Sequence, residues 1–183
     1  MSPHSMLAIL ALSALLAGCA TDRLDVKVPL GVTKPSTAAA HRAVVQVTDI
    51  RKEATLERTT VGGVSLGRIH LQPSEQELVR AVIEASAYEA LARRGGAGSL
   101  TILAGIRVFD VATPATPLYW DVTTTIELVL RVQGQDRTIA GNATERTFVW
   151  PSEEMIARVT AEALRRLGAD AGRALDELLA TPR

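Results

Sequence analysis

Cys19 carries the only thiol in this 183-residue chain. It stands directly after Leu15-Leu16-Ala17-Gly18, at the end of an apolar run from Met6 to Ala17. With no second cysteine the chain has no internal disulfide to form. The apolar run is too short for a permanent membrane span, which needs about 20 residues. A short apolar core followed by small residues is the pattern of a secretory signal and its cleavage site. Its leading segment, Met1 to Ser5, departs from that pattern in lacking Lys and Arg.

No other residues assemble a reaction. The three histidines, His4, His41 and His70, show no paired spacing, whereas a metal site gathers three or four ligands. Gly95-Gly96-Ala97-Gly98-Ser99 follows a helix and lacks the Lys-Ser/Thr of a phosphate loop. Asp121 and Glu127 share one strand and lie about 20 Å apart along it, too far for paired acid–base work. Asp110 falls on the preceding strand. The serines show no nucleophile-elbow spacing. The expectation is no catalytic residue, no metal, no cofactor and no enzymatic activity. Net charge is +0 and pI is about 6.8, which argues against nucleic acid as a partner. Aromatics are 3% of a chain that is 47% hydrophobic, so the core should be built from Leu, Val, Ile and Ala.

Residues 20–40 have Pro29, Gly31, Pro35, a run of alanines and no sustained period, the composition of an extended tether. Alternation from Leu24 to Leu30 offers a short strand as the competing reading. Val44 to Asp49 reads as a strand, followed by a charged, solvated run from Arg51 to Arg58. Ser74-Glu75-Gln76-Glu77 is a capping box that opens a helix. Its apolar stripe is Val79, Ile83, Ala87 and Leu91. Leu100 to Val111 is apolar on both faces at its start, as a central strand would be. From Trp120 to Val132 the alternation is unbroken. Trp120, Val122, Thr124, Ile126, Leu128, Leu130 and Val132 point one way. Asp121, Thr123, Thr125, Glu127, Val129 and Arg131 point the other. A turn at Gly134 leads into the polar strand Arg137 to Val149. Ser152 caps a last helix with Ile156, Val159, Ala163 and Leu167 on its apolar face; Gly168 and Gly172 mark a place for a kink.

These elements predict an α+β fold: a two-layer sandwich, with a mixed, mostly antiparallel sheet covered by two helices on one face. Three regions are expected: a signal at 1–18, a lipidated N-terminus and tether at 19–40, and a folded domain at 41–183. The uncovered face, with Thr123, Thr125, Glu127, Val129 and Arg131, is either solvated or a docking face for a protein partner.

Leu15-Leu16-Ala17-Gly18-Cys19 resembles a bacterial lipobox. The resemblance implies cleavage between Gly18 and Cys19, diacylglycerol on the Cys19 thiol and acylation of the new amino group. Three acyl chains would anchor the chain permanently to a membrane. Ala20 stands where an Asp would signal inner-membrane retention in enteric bacteria, so the same resemblance implies the outer membrane. The order of elements is similar to that of the YajG-like outer-membrane lipoproteins. The matching features are the lipobox, the strand Val44 to Thr48, the capped helix near Ser74, the strands Leu100 to Val111 and Tyr119 to Val132, and the last helix. That family implies a periplasm-facing structural or interaction module with no established enzymatic activity and no catalytic residues to carry over. By fold analogy, the alternative is an accessory subunit of an envelope machine, such as a lipid-transport auxiliary lipoprotein or a peptidoglycan synthase activator.

Overall fold

The computed structural model describes residues 23–31, 41–52, 56–61, 65–94 and 98–180. Along the chain run β1 (Arg23–Lys27), β2 (His41–Asp49), β3 (Leu56–Val61), β4 (Ser65–Gln72), α1 (Glu75–Arg93), β5 (Gly98–Ala115), β6 (Trp120–Val132), β7 (Gln135–Thr147) and α2 (Glu153–Ala180). The fold is α+β, with a mixed seven-stranded sheet and two helices. Strands follow the order β1-β4-β3-β5-β6-β7, and β2 pairs with β5 as well. β1 with β4, β2 with β5 and β3 with β5 are parallel. β3 with β4, β5 with β6 and β6 with β7 are antiparallel.

The helices start where their caps dictate. The Ser74 hydroxyl accepts from the Glu77 amide at 3.4 Å, and the Glu77 carboxylate accepts from the Ser74 amide at 2.9 Å. The Ser74 hydroxyl also donates to the Glu77 carboxylate at 2.7 Å, and this bond, with that from the Ser74 amide, holds the Glu77 carboxyl below its usual range. The Ser152 hydroxyl accepts from the Met155 amide at 3.2 Å. α2 runs unbroken through Gly168 and Gly172. Gly168 serves closeness: a Cβ there would sit 3.2 Å from Val82 Cγ1 of α1.

The core lies between the helices and the inner side of the sheet. Val79, Ile83 and Ala87 of α1, Val159, Ala163 and Leu167 of α2, and Ile126, Leu128 and Leu130 of β6 are buried together. Gly141 of β7 lets α2 approach more closely than any side chain would allow. A Cβ at Gly141 would lie 2.2 Å from the Ala163 carbonyl oxygen and 2.7 Å from the Leu167 nitrogen. Inside the core the hydroxyls of Thr124 and Thr160 satisfy each other at 3.1 Å.

Three expectations are corrected. Residues 23–27, assigned to the tether, form β1, with Val26 fully buried; a five-residue strand with three charges has too little pattern to stand out from a linker. The run Arg51 to Arg58 is not simply solvated. Arg51 donates to Asp49 Oδ1 at 2.9 Å and to the Phe109 carbonyl at 3.1 Å, and lies 3.6 Å from Glu75, while Arg58 is buried in β3. β5 is central, as its apolar start implies, with β2 and β3 on one flank and β6 on the other, but its alternation changes phase partway. Ile106 pairs with Leu128 but Val108 with Glu127, leaving Arg107 as an extra residue. This bulge switches the buried set from Leu100, Ile102, Ala104 and Ile106 to Phe109, Val111 and Thr113.

Candidate functional site

The outer side of the sheet is where the sequence puts its candidate residues, and the register brings them together. Thr123, Thr125, Glu127, Val129 and Arg131 occupy alternate positions of β6 on the side away from the core. Their charges are engaged with neighbours on the same sheet. Glu127 meets Arg107, the bulge residue, at 3.0 Å. Arg131 donates to Asp136 at 2.6 and 2.8 Å. Asp121 accepts from Arg146 at 2.9 Å, and the Thr123 and Thr144 hydroxyls pair at 3.1 Å. The hydrogen bond from Arg146 lowers the Asp121 carboxyl below its usual range, and that from Arg131 lowers Asp136. Val129 sits opposite Gly105, where a Cβ would lie 2.9 Å from Ile50 Cδ1. Val44, Ile50 and Leu103 are exposed apolar residues on this part of the molecule.

A second surface lies at the end of the sheet where β5 turns into β6 and β7 leads into α2. Four of the chain's six aromatic residues meet there. Trp120 and Trp150 pack edge to face at 5.8 Å, and Tyr119 and Phe148 do so at 6.4 Å. The Arg146 guanidinium lies 3.8 Å above the Tyr119 ring. Around them Leu118 is 77% exposed, Phe148 74%, Val149 71% and Trp150 47%. The backbone of both connections is pinned by its own hydroxyls. Thr116 Oγ1 accepts from the Tyr119 amide at 3.0 Å and donates to the Tyr119 carbonyl at 2.9 Å. Thr147 Oγ1 accepts from the Val149 amide at 3.2 Å. These connections therefore hold apolar side chains outward from a satisfied backbone. Trp120 Nε1 is buried and has no hydrogen-bond partner among the described residues.

No family model matches the chain, and no curated protein matches its sequence. Among solved structures, it is similar to an uncharacterized protein at 14% identity and a TM-score of 0.47, covering 74% of this chain and 90% of that one. A further similar structure is the "putative lipoprotein from Caulobacter crescentus CB15", at 14% identity and a TM-score of 0.33, covering 55% of this chain and 82% of that one. Neither likeness is strong enough to assign a function.

The remaining candidates stay apart. Asp110 faces Thr125 across the β5–β6 pair, whereas Asp121 and Glu127 hold different arginines. No group of three His, Cys, Asp or Glu among the described residues is placed to hold a metal. Cys19 lies outside the described residues. A groove of about 580 Å³ opens between α1 and α2, floored by Val82, Leu164 and Gly168 and rimmed by Glu89, Arg158 and Arg165. The sequence reading passed over the aromatic end. Its residues read singly, as strand or helix-start positions, and the signal that could have found it was the crowding of four scarce aromatics into 119–120 and 148–150.

Proposed function

We propose that this chain is a non-enzymatic envelope lipoprotein, held by Cys19 on the inner leaflet of the outer membrane and facing the periplasm as an interaction module. The observation that carries the reading is the position of the one thiol, directly after Leu15-Leu16-Ala17-Gly18. The entry of the fold supports it. β1 begins four residues after Cys19, so an acylated chain has little slack between lipid and domain. No helix among the described residues is long and apolar enough to cross a membrane, so attachment through such a helix would have to come from elsewhere in the chain. Kinship with the YajG-like lipoproteins belongs to the same proposal, and the order of strands and helices agrees with it. A protein partner would meet the module on the outer sheet face around Val129.

Replacing Cys19 with Ser tests the anchor. The variant should persist as an uncleaved precursor and take up no labelled palmitate; palmitate incorporation by the variant rules the lipobox out. Sucrose-gradient fractionation tests the address, since sedimentation with inner-membrane markers contradicts the outer membrane.

A further inference from the structure

We infer that the aromatic end is a second membrane contact: Leu118, Phe148, Val149 and Trp150 enter the lipid headgroup region beside the acylated N-terminus and fix which end of the domain faces the bilayer. The inference rests on the lipid anchor proposed above and adds the surface that meets the lipid.

Strand register carries the argument. Arg23, the first residue of β1, stands in one row with Arg68, Glu57, Ala112, Thr123 and Thr144. The row of Ala115, Trp120 and Thr147 lies three residues closer to the aromatic connections, about 10 Å along the strands. β1 is parallel to β4, β4 antiparallel to β3, and β3 parallel to β5. β1 therefore runs away from the aromatic end, and Arg23 is its residue nearest that end. Cys19 is four residues upstream, and four residues span at most about 14 Å even when fully extended. Acyl chains on Cys19 would thus draw this end of the sheet to the bilayer rather than the opposite one.

The side chains found there suit that position. Exposed apolar groups of this size, clustered on one spot, mark a surface that meets something other than water. Trp, Tyr and Phe favour the boundary between hydrocarbon and headgroups, where a ring can be apolar on one side and wet on the other. Arg146, stacked on Tyr119, stands at the rim of the cluster, at a depth where a cation can reach lipid phosphates. The β6–β7 turn, at the opposite end of those two strands, has a different character. Gln133, Gly134, Gln135, Asp136 and Arg137 are all exposed and polar.

The test uses the full lipidated protein in phosphatidylethanolamine–phosphatidylglycerol vesicles, with and without lipids brominated on their acyl chains. Trp120→Phe leaves Trp150 as the only indole, and Trp150→Phe leaves Trp120. Brominated lipid should reduce the Trp150 emission about twofold and blue-shift it, since an indole at the interface lies within reach of the acyl carbons. Trp120, further inside, should be quenched less. In the Trp120→Phe background, changing Leu118, Phe148 and Val149 together to Ser should abolish the quenching while the protein still floats with the vesicles. Mass spectrometry of the same sample reads Cys19. An unmodified Cys19 overturns both the anchor and the contact built on it. Acylated, vesicle-bound protein whose Trp150 emission is the same in both lipids overturns the contact alone, and that is the outcome if the aromatic end is reserved for a protein.

Discussion

The two sides of β6 use their side chains in opposite ways. On the inner side Val122, Thr124, Ile126, Leu128 and Leu130 are fully buried against α2 and the rest of the core. Their contribution is shape, and it is lost as soon as a cavity or an overlap appears. On the outer side Asp121, Thr123, Glu127 and Arg131 bond to residues of the neighbouring strands. Such exposed pairs add little to stability. The contrast teaches that one side determines whether the protein folds, while the other is free to vary its chemistry without endangering the fold.

The largest expected effect strikes the inner side through its neighbour. Gly141→Ala on β7 places a methyl group inside the Ala163–Leu167 backbone of α2. Because backbone cannot step aside as a side chain can, the loss should exceed about 4 kcal/mol, the range reserved for severe core damage. A urea midpoint near wild type would mean that α2 can retreat from the sheet, which would break the inner half of the comparison. Leu128→Ala comes next, at about 3 kcal/mol, from lost transfer energy plus the cavity left behind. On the outer side, Thr125→Ala should shift the same unfolding curve by under about 0.5 kcal/mol. Equal losses at Leu128 and Thr125 would show that both sides of the sheet are covered.

The charge pairs sharpen the outer half. A hydrogen bond from Arg146 holds the Asp121 carboxyl below its ordinary 3.8. A carboxyl lowered in the folded state contributes its stability above the unfolded value and loses it as pH falls through the folded one, so any contribution declines as pH drops below 3.8. Arg146→Gln should return the Asp121 carboxyl toward 3.8 in an NMR titration; an unmoved value would mean that the pair does not form in solution. A small effect on folding is expected from Glu127→Gln with Arg131→Gln, which removes the pairs with Arg107 and Asp136 without setting like charges together. This double variant should fold and localise normally, yet lose any protein that crosslinks to the outer side in native envelopes. An unchanged set of crosslinked proteins would leave that side as solvated sheet.

Much of this architecture is legible in the amino-acid sequence because its signals are periodic. The alternation of β6, the capping box at Ser74 and the stripe Val79–Ile83–Ala87 each repeat often enough to outweigh chance, and each lies where the pattern places it. Single events escape such patterns. The extra residue at Arg107 leaves no mark in composition, so the change of phase in β5 passes for a strand with two apolar sides. Arg51 reads as a solvated charge because two of its three partners, the Phe109 carbonyl and Glu75, are distant in sequence. The site residues divide in the same way. The outer-side set follows from alternation, whereas the aromatic end requires two connections about 30 residues apart to be brought together by the β6–β7 hairpin.

One consequence of the α2 packing concerns copies of the protein rather than the single chain. Among the described residues β7 has a partner strand on one flank only. On its free flank Asp170 accepts a hydrogen bond from the Ala140 amide at 2.9 Å, and Arg166 donates to the Asn142 carbonyl at 2.9 Å. A bare border of this kind is an invitation for a stranger's backbone to zip on. Two side chains from the same molecule stand in for the missing strand, one as acceptor and one as donor. The selvedge is thus sewn shut from within, and copies of the protein crowded side by side jostle along this margin without knitting into a fibre.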